Sequence, residues 1–446
     1  MNRWIAIFKS KFGEFWWHSL LLFLAIRVSD LVNAFIGLWL VPKFVPGDEL
    51  GAVLPLTHFA TLLSLPAAIF GLVFMKRLNV LAVNGERGKM KSMLRTVFTA
   101  MAVFLVITLV IARCTMTPIL ERMRIERGSL GILIVATGLT GAIAPVYANA
   151  LQALKRFNAL SVLHILGAPI RLVVALVTMP IRAIFGYFVA QSAVSFWQIG
   201  ISLFSLRKEL GAEVRAEPYW NRETLRTFLK CGLFLALLHA QTIAAFVESL
   251  VIRQRLPAVD SAAYYMISRF AEIGTYAGAT LTAVMFPYVS EAAEKRTGSD
   301  HRIILRSTLA SLAFGILCAI GFGLVGKWAL AWTPGGSAYT AYVPQMVLLT
   351  LVVTLFMSLN CYVIGQVAAD RFGFLKWYVP LHLLYSGALL FITGYGYFET
   401  WLPPGPLNAI RWINRCGLNF ILVAMLLLQL AKALFIFIPM IQRHPR

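Results

Sequence analysis

Twelve apolar stretches, each long enough to cross a bilayer, follow one another along this chain. They lie near residues 19–41, 52–75, 96–113, 129–150, 157–180, 184–206, 228–250, 263–288, 306–326, 342–366, 374–397 and 413–437. A transmembrane helix uses about 20 such residues, because the hydrocarbon core is about 30 Å thick and each helical residue advances about 1.5 Å. No water satisfies backbone amides inside that core, so a single spanning segment has to be helical. The pattern predicts an all-α polytopic membrane protein with twelve transmembrane helices. Composition agrees: 59% of the 446 residues are hydrophobic and 13% are charged, against roughly 45–50% and about 25% in soluble domains. A disordered chain and an ordinary soluble domain are both excluded.

The chain has 40 Lys and Arg against 19 Asp and Glu, a net charge of +21. On a soluble protein this would suggest a nucleic-acid partner. In a polytopic protein it follows from cytoplasmic loops that retain Lys and Arg during insertion, and no nucleic-acid partner is expected. Assigning the loops alternately to the two sides puts 25 basic residues on one side and 11 on the other, with Arg27, Arg171, Arg269 and Lys432 left inside spans or at their edges. The bias predicts that both termini are cytoplasmic. Trp4, Phe8, Phe12 and Phe15 recur at spacings of four and three with Arg3, Lys9 and Lys11 between them, so residues 1–18 read as an amphipathic helix in the interface. The run from Ser19 is interrupted by Arg27 and Asp30 and lacks a small-x-small cleavage site, so it is expected to be a retained first span. The five cysteines are scattered singly, without CxxC spacing or a nearby His, and predict neither a metal site nor disulfides. Tryptophans and tyrosines at 16–17, 328, 332, 377–378 and 401 read as interfacial anchors.

Outer loops are short. The longest cytoplasmic connection, 207–227, divides the chain into lobes at 19–206 and 228–437, followed by a tail at 438–446. An offset of 211 residues superposes the halves: Asp48-Glu49-Leu50-Gly51-Ala52 falls on Val259-Asp260-Ser261-Ala262-Ala263, and Leu94-Arg95-Thr96 falls on Leu305-Arg306-Ser307. With six helices per half the copies share one orientation, so the axis relating them runs along the membrane normal. Such a pair of pseudo-symmetric six-helix bundles fits a transporter with a central cavity.

Four segments carry a family resemblance. Pro42-Lys43-Phe44-Val45-Pro46-Gly47-Asp48-Glu49-Leu50-Gly51 between the first two helices is similar to the outer loop of polysaccharide flippases, which ends in an acidic residue and Gly. Ala150-Leu151-Gln152-Ala153-Leu154-Lys155-Arg156-Phe157-Asn158, Ala262-Ala263-Tyr264, and Val284-Met285-Phe286-Pro287-Tyr288-Val289-Ser290-Glu291 add to it. Together, over nearly the whole chain, they resemble Wzx-type flippases for O-antigen and other lipid-linked oligosaccharides, in the multidrug/oligosaccharidyl-lipid/polysaccharide exporter superfamily. The resemblance implies alternating access in the bacterial inner membrane, with a polyprenyl-diphosphate-linked glycan moved from the inner to the outer leaflet. It implies no cofactor and no enzymatic activity. A monomer is expected, and coupling to H+ or Na+ is left open.

Charges at mid-bilayer cost about 2.5–3.5 kcal/mol on insertion scales, so each should face a cavity or a partner. Arg27, Asp30 and Asn33 recur every third residue on one face of the first helix. Arg269 and Glu272 repeat the pattern in the eighth, and the 211-residue offset places Arg269 on His58. Arg171 has no acidic residue within one turn and requires a partner on another helix or a ligand. A guanidinium fork matches the paired oxygens of a diphosphate, which makes Arg27, Arg171 and Arg269 the candidate head-group site, with a structural Arg27–Asp30 pair as the alternative. Asp30, Asn33, His58, His239, Gln241, Glu248 and Glu272 are candidates for polar lining or ion coupling. Tyr264 and Tyr265 are candidates for glycan contact, and Pro55, Pro66, Pro145, Pro169 and Pro380 for hinges.

Two other functions compete. A cation-coupled multidrug exporter would use a buried carboxylate such as Asp30, but Arg27 lies one turn away and several buried arginines repel cationic drugs. A polytopic glycan polymerase or ligase needs catalytic carboxylates held in sizeable outer loops, and this chain has only short ones. No GxxxxGKS loop is present to bind a nucleotide.

Overall fold

A computed structural model of the chain describes residues 24–122, 128–154, 156–207, 214–276, 299–369, 371–393 and 404–441, with the segment 277–298 described in part. The interfacial helix expected at 1–18, the outer loop at 123–127, Lys155, Val284, Phe286, Pro287, Ser290 and Glu291 of the family-like motifs, the anchor at Trp401, and the last five residues lie outside the described residues.

The described elements are helices throughout. α1 spans Leu24–Phe44 and contains a π-helical turn at Ile36–Leu40. A short α2 (Gly47–Leu50) follows, then α3 (Val53–Val83), α4 (Arg87–Arg122), α5 (Gly128–Ala153) and α6 (Phe157–Leu206). The second half comprises α7 (Arg222–Leu238), α8 (Ala240–Arg255), α9 (Ala258–Ala271), α10 (Asp300–Trp332), α11 (Val343–Ala368), α12 (Leu375–Thr393) and α13 (Pro404–Ile441). Each of the twelve predicted spans overlaps described helix, the first, eighth and eleventh only in part. Seven of the described helices are long and apolar enough to cross a membrane by length and composition.

α6 accounts for two spans. Its apolar stretch of 49 residues would extend about 73 Å if straight, about twice the membrane thickness. Non-helical backbone at Arg182 and Ala183 breaks it, and Thr178 Oγ1 donates to Gly186 O at 3.0 Å. In an uninterrupted helix those residues would lie about 12 Å apart, so the chain folds back on itself there. A Cβ at Gly186 would meet the backbone of Thr178 and Met179, which is why a glycine stands at the return.

The helix breaks do not fall at the prolines singled out as hinges. Pro55 occupies the first turn of α3, where a missing N–H costs no hydrogen bond. Pro145, Pro169 and Pro380 lie inside α5, α6 and α12, and Pro66 also lies inside α3. The interruptions sit instead at Arg182–Ala183, at His239 between α7 and α8, and at Gly417 of α13, whose φ of +57° favours glycine.

The chain forms two compact units, one containing Leu56–His239 with the described residues up to Val45, the other containing Pro46–Pro55 with the described residues from Ala240 onward. In the first, Phe74, Leu78, Met93, Leu94, Ala150 and Leu163 form a buried apolar cluster, against which Tyr219, Trp220 and Phe228 pack. The linker closes onto α4 through Lys91 Nζ donating to Val214 O at 2.7 Å and Glu217 N to Gly88 O at 3.1 Å. In the second unit α10 and α11 approach through small residues. A Cβ at Gly315 would collide with Thr354, and one at Gly326 with Met346. The outward row of α10 is apolar, with Leu317, Leu324, Trp328 and Trp332 between 66% and 76% exposed. Such a surface is soluble only in lipid, and the two tryptophans near the helix end match the anchors expected there.

Candidate functional site

Four of the predicted residues meet in the first unit. Arg27 Nη1 and Asp30 Oδ2 form an ion pair of 3.0 Å on α1. One turn further on, Asn33 Oδ1 accepts a hydrogen bond from Arg171 Nη1 on α6. Arg171 Nη2 donates to Tyr187 OH at 3.4 Å, and its guanidinium stands 5.6 Å from the centre of the Tyr187 ring. Arg171 therefore has two neutral oxygens and a ring face as partners, and among the described residues no carboxylate pairs with it. Its positive charge stays uncompensated by direct contact, unlike that of Arg27.

His164, one helical face with Arg171 and seven residues before it, interacts electrostatically with Asp30. Neither His164 nor Tyr187 is among the site residues expected from the sequence. The spacing of seven between His164 and Arg171 was the available signal for the first. For Tyr187 no local signal exists, because the return at Arg182–Ala183 brings it beside Arg171. His58 lies half-buried on α3 in the same unit.

Arg269 belongs to the second unit, so the three arginines divide two and one between the units. Its Nη1 lies 3.0 Å from Glu272 Oε2, and its guanidinium stands 5.1 Å from the centre of the Tyr265 ring. The predicted i, i+3 pairing is thus present on the eighth span as it is on the first.

The expected glycan contacts are turned inward. Tyr264 is 5% and Tyr265 1% exposed, so in this conformation neither offers a face to a sugar. Tyr264 OH instead donates to Glu248 Oε1 at 2.5 Å, and Tyr385 OH to Glu248 Oε2 at 3.1 Å. A buried carboxylate needs donors on both oxygens, and two phenols supply them. Gln241 Oε1 accepts from Tyr378 OH at 2.6 Å. His239 caps the end of α7, its N–H reaching Ala236 O and Leu237 O.

The loop motif that carried part of the resemblance has a structural role in the second unit. Arg253 Nη1 donates to Asp48 O at 2.7 Å, and a Cβ at Gly51 would collide with Ser261. Glycine at 51 lets the end of α2 approach α9 closely. No cluster of three or more His, Cys, Asp or Glu suited to a metal occurs among the described residues.

No family model and no curated protein matches the chain. Solved structures do. An inward-facing multidrug resistance MATE family transporter of the MOP superfamily is similar with a TM-score of 0.66 and 14% identity, over 95% of this chain and 99% of that one. The lipid II flippase MurJ, in an inward closed conformation, is similar with a TM-score of 0.59 and 15% identity, over 96% and 94%. A MOP superfamily transporter from Pyrococcus furiosus, described as having a binding pocket of reverse polarity, is similar with a TM-score of 0.57 and 12% identity, over 95% and 94%. The chain is an all-α, multi-pass membrane protein with the fold of these MOP superfamily transporters.

Proposed function

We propose that the chain is a flippase that carries a polyprenyl-diphosphate-linked oligosaccharide, an O-antigen or other surface-polysaccharide unit, across the bacterial inner membrane by alternating access of lobes 19–206 and 228–437. The observation that carries this reading is Arg171, a membrane-embedded guanidinium held by Asn33 and Tyr187 with no carboxylate in direct contact. A diphosphate supplies the anionic oxygens that such a fork binds in pairs. Arg27 and Arg269 are the further candidates for the head group, each carrying an acidic neighbour that a phosphate displaces. The structural likeness to a lipid II flippase supports a lipid-linked substrate. The protein acts as a transporter and not as an enzyme.

The likeness to a multidrug MATE transporter, with a TM-score of 0.66 against 0.59 for the lipid II flippase, favours a second reading, cation-coupled drug export, with Asp30 as the coupling carboxylate. Arginines at 27 and 171 oppose a cationic substrate. Replacing Arg171, Arg27 and Arg269 in turn by Ala and by Lys, and scoring surface polysaccharide, separates the two. Arg171→Ala is expected to lower export about tenfold or more, the loss of roughly one charge-assisted contact, with Lys restoring little. Normal export from all three Ala variants overturns the proposal, and drug resistance on overexpression with no effect on glycan establishes the second reading.

A further inference from the structure

The second unit holds a lysine where a lysine is costly. Lys432 of α13 is 2% exposed and lies about 22 Å along the helix from the break at Gly417. Its Nζ is 3.3 Å from His382 Nε2 on α12 and 5.5 Å from the centre of the Phe356 ring on α11. His382 Nδ1 lies 2.7 Å from Tyr378 O. A carbonyl only accepts, so Nδ1 carries the proton, and the lone pair on Nε2 faces Lys432. The imidazole is thus a neutral acceptor and the ammonium its donor. An ammonium in this setting requires a counter-charge, and the carboxylate that reaches the same stretch of α12 is Glu248, bonded to Tyr385 three residues after His382.

The groups facing the cluster from each packed helix are few. Among the described residues, α8 contributes Glu248 and Gln241, α9 Tyr264, the turn after it Glu272, whose charge acts on Tyr264, α12 Tyr378, His382 and Tyr385, and α13 Lys432. Glu272 is paired with Arg269, which leaves one acid, one base and a neutral imidazole among these groups, summing to zero. Both oxygens of Glu248 accept from phenols, an arrangement that orients the carboxylate but leaves its negative charge to be balanced.

We propose that Lys432 is a built-in cation: it supplies Glu248 with the positive charge that a buried carboxylate among tyrosine hydroxyls otherwise takes from solution as Na+ or H+. The second unit then passes through its cycle without an inorganic cation at this cluster. This source of charge at Glu248 is independent of which substrate the protein moves.

Melting of the purified full chain in detergent tests it, in sodium chloride against choline chloride at equal ionic strength, at pH 6 and pH 8. Each shift is read as the difference from the matching Glu248→Gln variant, which removes contributions from other titrating groups. The wild type is expected to show a difference below about 1 °C. Lys432→Met, which keeps the chain's bulk and removes its charge, is expected to gain about 5 °C in sodium or at the lower pH, and Lys432→Met/Glu248→Gln to lose that gain. If Lys432→Met fails to fold, the double variant, which removes both charges together, is expected to recover folded protein. A wild-type sodium response abolished by Glu248→Gln overturns the proposal. So does a folded Lys432→Met protein insensitive to both cations, or, where Lys432→Met does not fold, a double variant that does not fold either.

Discussion

A guanidinium inside a bilayer has to be held by something, and what holds it decides what it can still bind. Arg27 is held by Asp30, whereas Arg171 is held by an amide oxygen and a phenol, which orient the fork without spending its charge. The same economy appears at Glu248, where the phenols of Tyr264 and Tyr385 orient a carboxylate whose charge Lys432 balances. Tyr264→Phe keeps the ring and its packing but strips one donor from Glu248 Oε1. Stability is expected to fall by about 1–3 kcal/mol, the cost of leaving a buried acceptor unmet, read as a lower melting temperature. Tyr385→Phe, whose bond is longer at 3.1 Å, should cost less. A Tyr264→Phe protein as stable as wild type would show that the 2.5 Å contact contributes nothing. Side chains such as these were legible one helix at a time. The three-residue spacing of Arg27, Asp30 and Asn33 was visible because α1 puts those positions on one face. The partnerships of Arg171 with Tyr187 and of Glu248 with Tyr385 were not, since they join positions brought together by helix packing alone.

At the scale of elements, apolar bilayer-length runs identified the helices, but breaks and close contacts followed rules that hydropathy does not express. The prolines singled out as hinges do not mark the interruptions: those at His239 and Gly417 have no proline beside them, and the one at Arg182–Ala183 follows Pro180, which was not among the candidates. A membrane helix tolerates proline when its neighbours satisfy the freed carbonyl, while a chain reversal requires backbone that only a few residues can supply. Close packing is set by glycine in the same positional way. On α10, a side chain at Gly315 meets Thr354 of α11, whereas a side chain at Gly321, nearly two turns on, meets nothing within 4 Å. Gly315→Leu is therefore expected to cost about 1–3 kcal/mol through overpacking. Gly321→Leu should be neutral or slightly stabilising, since leucine is the better helix former. Melting temperatures of the two variants side by side check this, and equal losses at both positions would mean that α10 and α11 are not in close contact there.

At the scale of the whole molecule, the division into compact units at His239–Ala240 was not legible, because it depends on where α7 packs and not on the length of the 207–227 connection. Orientation follows from counting. If every predicted span crosses once, two loop residues separated by a single crossing must face opposite sides, and two separated by an even number must share one. Lys43 and Lys89 are separated by the span in α3, and Lys327 and Arg371 by the span in α11; Lys43, Lys327 and Arg371 are exposed and Lys89 is half-buried. The excess of Lys and Arg assigns Lys89 and Arg371 to the cytoplasm, and Lys43 and Lys327 to the outside. The duplication requires the same assignment in each half, because copies of six helices share one orientation. With Cys114, Cys231, Cys318, Cys361 and Cys416 replaced by Ala, single cysteines at these four sites are expected to divide cleanly. Lys43→Cys and Lys327→Cys react with a membrane-impermeant maleimide in spheroplasts, while Lys89→Cys and Arg371→Cys react only after the membrane is opened. Labelling of Lys89→Cys in sealed spheroplasts would invert the first half. The same result confined to Arg371→Cys would break the parallel orientation of the halves, and with it the case for a duplicated transporter scaffold.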